Sequence, residues 1–275
     1  MNIKNMKYIE ELWEPFLKRF EEKDGLSYKY ARSLYDGTKE DIVNYWWLSL
    51  ISFYDRIFYQ GRNNTLSSKF ERATVEVLDE FLGDDKENKL VELISQGLLE
   101  WENYGYTKGR ESTEPYCHEL RDALDSKLTG KGRDKEIVIV TLKFIAKLDG
   151  FNVLRHTIKR VSSGEIQQHY RELTRIRQIG QKTGRLWLRD VIVTYELEGH
   201  LEQNDIELLV PVDTWVEQVA LKMGIINDAM RPEKLSKKIV EICNANDICP
   251  IRFGSGLWII GSFSLELLLE RIMEE

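Results

Sequence analysis

Apolar residues recur at steps of three and four along most of this chain, and only 5 prolines in 275 residues interrupt them. That spacing gathers side chains on one face of an α-helix, whereas a half-buried strand needs strict alternation. Ile42, Tyr45, Trp46, Ser49 and Phe53 share a side of a helix read from Lys39 to Phe58. Ile9 to Phe20, Leu66 to Phe81 and Leu90 to Trp101 repeat the period. Ile137 to Leu148 is apolar at most positions, and its length favours a buried central helix over a strand. The expected class is all-α.

With 42% hydrophobic and 31% charged residues, the chain can bury a real core, so disorder is a poor expectation. Met1 to Lys23 alternates charges and aromatics, unlike a secretory leader. The longest apolar runs, Trp46 to Ser52 and Leu257 to Phe263, fall well short of the roughly 20 residues a membrane helix needs, so no membrane partner is expected. Cys117, Cys243 and Cys249 are odd in number, which speaks against a disulfide framework and for a reducing compartment. An iron-sulfur cluster needs four ligands, and these three thiols cannot supply them. His118, His156, His169 and His200 are scattered without metal-site spacing, so neither metal nor other cofactor is expected.

A net charge of −7 opposes binding to a polyanion. Its distribution is uneven. Between residues 155 and 190, Arg155, Lys159, Arg160, Arg171, Arg175, Arg177, Lys182, Arg185 and Arg189 face only Glu165, Glu172 and Asp190. This local basic tract is either a solvated helix face or an electrostatic footprint for nucleic acid.

Turn-forming residues punctuate the helices at Gln60 to Asn64, Tyr104 to Pro115, Leu128 to Lys135 and Ser162 to Gly164. Gly254-Ser255-Gly256 lacks the Lys-Ser/Thr of a phosphate loop and reads as a turn before an apolar run. Helices are expected over Phe151 to Val161, Glu165 to Arg177, and from Lys182 or Thr183 to about Val193, with a polar loop from Glu196 to Leu208.

The chemistry-bearing segment is Ile176-Arg177-Gln178-Ile179-Gly180-Gln181-Lys182-Thr183-Gly184. Ile176 and Ile179 anchor a short turn, Gly180 supplies a turn glycine, and a helix then begins. A helix opening in this way points backbone N–H groups and the positive dipole end at an anion. Downstream, Val210-Pro211-Val212-Asp213-Thr214-Trp215-Val216 opens a helix whose Val216, Val219, Ala220 and Met223 fall at i, i+3, i+4 and i+7. Asp213 thus stands at a helix N-terminus. A carboxylate in such a place serves as an N-cap or stabilises positive charge on a sugar as its base departs.

The order helix, I-x-x-I-G-x-K-T, helix, V-P-V-D-T-x-V-x-x-V-A-x-K-x-G resembles the helix-hairpin-helix DNA glycosylase superfamily, over about Phe151 to Gly224. The usual pattern there is L-P-G-V-G-x-K-T or -V followed by V-D-x-x-V. The resemblance implies a base-excision-repair DNA glycosylase/AP lyase of the branch without an iron-sulfur cluster, which includes the 8-oxoguanine enzymes. It assigns Lys182 as Schiff-base nucleophile and Asp213 as its carboxylate partner. Gln178, Gly180, Gln181, Thr183, Gly184 and Arg185 would contact DNA at the hairpin, and Gln60 and Asn63 would fill the gap left by the extruded base. The implied partner is double-stranded DNA carrying a damaged base, with an oxidised purine favoured. The chain would act as a monomer in the cytoplasm or nucleus. It also implies two helical subdomains with the hairpin at their cleft: 41–194 ending in the hairpin, and 1–40 plus 195–275 carrying the aspartate.

Arg177 and Gln178 stand where the family usually has Pro-Gly, and the 31 positions between Lys182 and Asp213 exceed the usual gap. Two other readings stay open. A monofunctional glycosylase would use Asp213 to activate water, and a non-catalytic helical module would bind DNA or a protein.

Overall fold

A computed structural model describes residues 2–12, 39–58, 64–97, 118–128 and 132–263. It is all-helical, with no strand among the described residues. The helices are α1 (Ile3–Glu11), α2 (Lys39–Asn44), α3 (Trp46–Ile57), α4 (Asn64–Leu82), α5 (Lys86–Ser95), α6 (His118–Lys127) and α7 (Gly132–Ile145). They continue with α8 (Val153–Ser162), α9 (Ile166–Arg175), α10 (Gln181–Thr194), the single turn α11 (Gln203–Ile206), α12 (Thr214–Lys222), α13 (Pro232–Asn244) and α14 (Pro250–Phe263). No helix among the described residues is long and apolar enough to cross a membrane.

The chain divides into two compact units. Described residues 2–12, 160–170 and 185–263 form one, and 39–58, 64–97, 118–128, 132–159 and 171–184 the other. The bounds differ from the expected 41–194 split, because 160–170 and 185–194 join the unit that holds the C-terminal helices.

In the first unit, Met6 and Ile9 of α1 pack with Val216, Val219 and Ala220 of α12, Leu235, Ile239 and Val240 of α13, and Phe253, Leu257 and Ile260 of α14. Such a cluster removes large apolar areas from water, at about 25 cal/mol per Å². The Glu10 carboxylate of α1 accepts the Cys249 N–H at 2.7 Å, satisfying an amide at the opening of α14 from a distant part of the chain.

Gly254, Ser255 and Gly256 do not form the expected turn but lie inside α14. Helix propensity is overridden by packing there. A β-carbon on Gly254 would stand 2.8 Å from Val210 Cγ1, and one on Gly256 would stand 2.1 Å from the Ile9 carbonyl oxygen. The glycines let neighbouring chain approach more closely than a side chain permits.

In the second unit, the helix expected from Lys39 to Phe58 is broken at Tyr45, which is extended (φ −102°, ψ 114°). Asn152 Nδ2 donates to the Val43 carbonyl at 2.8 Å, and Arg155 Nη2 to that of Asn44 at 3.2 Å. These side chains satisfy carbonyls at the helix break. Asn152 also accepts the Arg155 N–H at 2.8 Å, capping α8, while Ser49 Oγ accepts the Leu154 N–H at 2.8 Å. Buried Tyr54 donates its hydroxyl to the Val138 carbonyl at 3.1 Å, linking α3 to α7.

Other boundaries shift for local reasons. The first helix is α1, starting at Ile3 with Asn2 as its cap, and residues 13–20 of the expected one lie outside the described residues. Gly97, with φ +67°, follows the end of α5, before the expected Trp101. The charged stretch to Lys135 is not all loop, since α7 begins at Gly132. The polar segment 196–208 carries short helices at Glu198–His200, α11 and Glu207–Leu209. A reciprocal capping box between Glu202 and Asp205 nucleates α11.

Candidate functional site

Within the second unit, α9 ends at Arg175 and α10 begins at Gln181. The link is tight. The Ile176 N–H donates to Leu173 at 3.1 Å, the Ile179 N–H to Ile176 at 3.0 Å, and the Gly184 N–H to Gly180 at 3.0 Å. Ile176 and Ile179 are buried and act as anchors. The turn therefore uses its two apolar residues as the spacing predicts.

Its left-handed residue is unexpected. Gln178 takes φ +71°, whereas Gly180 is not in the left-handed region, and a β-carbon there would meet nothing within 4 Å. A non-glycine residue at positive φ costs about 1 kcal/mol or more, so surrounding contacts must hold it. Glu136, buried on α7, supplies them. Its Oε2 accepts from Gln178 Nε2 at 2.5 Å, and its Oε1 accepts from Arg177 Nε at 2.9 Å. Gln178, expected to face DNA, turns its amide on Glu136 instead. Glu136 was not legible as a site residue, because it reads as the charged edge of an apolar run.

Of the other residues expected at the hairpin, Gly180 and Gln181 are exposed, while Lys182, second in α10, is half-buried. Thr183, Gly184 and Arg185 are buried. In the first unit the Arg185 guanidinium lies over the Tyr170 ring at 5.8 Å, a cation–π placement inside the fold rather than on its surface. Gln60 and Asn63 lie outside the described residues.

The basic tract is partly neutralised by acidic side chains. Arg160 pairs with Glu165 at 2.6 Å, Arg189 with Asp190 at 2.7 Å, and Arg177 with Glu136. Arg171 and Arg175 remain exposed. His156 Nε2 comes within 3.4 Å of Glu172 Oε2 in the second unit.

In the first unit, Asp213 is the N-cap of α12. Its Oδ1 accepts the Trp215 N–H at 3.0 Å and the Val216 N–H at 3.1 Å, as the position before a helical period predicts. Both flanks fix this cap. Val210 and Pro211 are buried on the approach, with Gly254 giving Val210 its room. On the far side Gly261 of α14 abuts Trp215, where a β-carbon would stand 2.6 Å from Trp215 Cβ. The Asp213 carboxylate is half-buried, so it is rigidly held without being sealed from water.

Comparison of the chain with protein-family models, with curated proteins and with solved structures finds no match.

Proposed function

We propose that the chain is a DNA glycosylase with AP lyase activity that acts on a damaged base, an oxidised purine in the favoured case, in double-stranded DNA. The observation that carries this reading is the short turn between α9 and α10 with buried Ile176 and Ile179, followed in sequence by Asp213 as a fixed N-cap.

In this reading the extruded nucleotide presents its anomeric carbon to the neutral amine of Lys182. Attack forms a C–N bond as the glycosidic bond breaks, and the departing base takes up the proton that the lysine nitrogen loses. The Asp213 carboxylate stabilises the positive charge developing on the sugar. Opening of the sugar ring then breaks the bond from the anomeric carbon to the ring oxygen, which takes up a proton, and leaves an imine. The imine permits loss of a proton from the adjacent sugar carbon, and β-elimination breaks the 3′ C–O bond with the phosphate as leaving group. Because the Asp213 oxygen is positioned by two backbone amides, it needs little rearrangement during reaction.

Borohydride trapping on duplexes carrying oxidised, deaminated or alkylated bases tests the proposal. Wild-type protein should form a covalent adduct with one lesion class, and Lys182→Ala should abolish it. Base release without strand cleavage or adduct would replace the lyase with a water-activating glycosylase. No release from any lesion would remove the enzymatic reading.

A further inference from the structure

Arg177 occupies a position where the resembled family usually places no cation, and its surroundings give that cation a fixed aim. Its side chain is 54% exposed, yet its Nε is held at 2.9 Å by Glu136, whose own side chain is only 6% exposed. A buried carboxylate that grips a guanidinium by Nε leaves the two Nη groups, four N–H donors in one plane, for something else. Among the described residues no group pairs with those Nη atoms. An unrestrained surface arginine would lose much side-chain entropy on gripping a ligand, and here part of that loss is already taken at folding. The same carboxylate binds Gln178, so the arginine's aim and the left-handed turn are set by one group.

We infer that Arg177 is a phosphodiester-binding residue of the hairpin and that Glu136 is its positioning residue. The inference rests on the duplex-DNA reading above but not on base excision. Arg177 directly precedes the turn and lies close in sequence to exposed Gly180 and Gln181 at the opening of α10. The positive dipole end of α10, which opens four residues on, favours the same kind of anion. Arg177 thereby restores a phosphate contact at a turn that lacks the family's first glycine.

The test is fluorescence anisotropy with a short undamaged duplex over a salt series, run beside borohydride trapping on the lesion panel. Arg177→Ala should weaken duplex binding about tenfold or more and lower the slope of log affinity against log salt by about 0.9, one phosphate contact. Arg177→Lys should keep the slope but recover only part of the affinity, because an ammonium has no Nε for Glu136 to hold. Glu136→Gln discriminates most sharply. It removes a negative charge, so charge alone predicts tighter DNA binding, whereas loss of positioning predicts binding severalfold weaker with the slope retained. Arg177→Ala equal to wild type in affinity and slope overturns the inference, and tighter binding by Glu136→Gln in a folded protein overturns the positioning role. Wild type that binds through Arg177 but never traps a lesion leaves the inference standing and removes the enzyme. Trapping by wild type and Arg177→Ala alike, with equal affinities, does the reverse.

Discussion

Gly256 and Ile9 meet so closely that a β-carbon on the glycine would stand 2.1 Å from the Ile9 carbonyl oxygen and 2.7 Å from its Cγ2. The obstacle is backbone, which cannot swing aside as a side-chain tip can. Gly256→Ala should therefore force α1 and α14 apart across the core of the first unit, at a cost of about 3 kcal/mol or more in urea unfolding. Gly199→Ala is the control, since a β-carbon there meets nothing within 4 Å and should change stability by less than about 0.5 kcal/mol. Equal midpoints for the two variants would show that the approach of α1 to α14 is not a constraint on stability.

Two carboxyl groups, Asp55 and Glu71, are buried together in the second unit. Burial, and then the neighbouring Asp55, push Glu71 up to about 10 from an ordinary 4.5, so at neutral pH Glu71 carries a proton that it donates to Asp55. The folded state thus holds a proton that the unfolded chain releases above 4.5. The associated stability is fully present below 4.5 and falls as pH rises towards 10. Glu71→Gln keeps the shape and a donor without needing the proton. It should be more stable than wild type by roughly 3 kcal/mol at pH 7, and by under about 1 kcal/mol at pH 5. Parallel stability curves for the two proteins between pH 5 and 9 would contradict this account.

Cys243 and Cys249 should differ in reactivity although six positions apart. Burial, with Cys249 and Glu10 nearby, pushes the Cys243 thiol up to about 12, so almost no thiolate forms at pH 8, and the side chain is fully buried. Cys249 is half-buried. Alkylation of native protein at pH 8, mapped by peptide mass, should label Cys249 well before Cys243, and the difference should vanish in denaturant. Equal labelling of the native protein would mean that α13 and α14 open readily.

The parts of the fold legible in sequence are those that local periodicity decides. Val216, Val219 and Ala220 line one face of α12, Asp213 caps it, and Ile176 and Ile179 anchor the turn between α9 and α10, because each follows from spacing within a few residues. What escaped reading depends on groups distant in sequence. Gly254 to Gly256 look like a turn until Ile9 and Val210 press against them. Tyr45 breaks an amphipathic helix where Asn152 and Arg155, more than a hundred positions on, take the nearby carbonyls. Glu136 holds Gln178 from 42 positions away, so a turn without its expected glycine still closes, and no pattern within the turn could have revealed it.

Asp213 allows the two roles read from sequence, cap and catalyst, to be separated by experiment. As a cap it needs only an oxygen that accepts from Trp215 and Val216, which asparagine also offers. As the carboxylate of a sugar-cation reaction it needs its negative charge, which asparagine lacks. Asp213→Asn should unfold within about 0.5 kcal/mol of wild type, while Asp213→Ala should lose about 1 kcal/mol through the missing cap. On the proposed chemistry both should lose base release alike, by a factor on the order of 10²–10³. Stability measured by urea titration and base release on the lesion substrate then move independently. Wild-type rates in Asp213→Asn would leave the residue a cap and nothing more, because a neutral amide cannot hold a cationic sugar as an ionised carboxylate does.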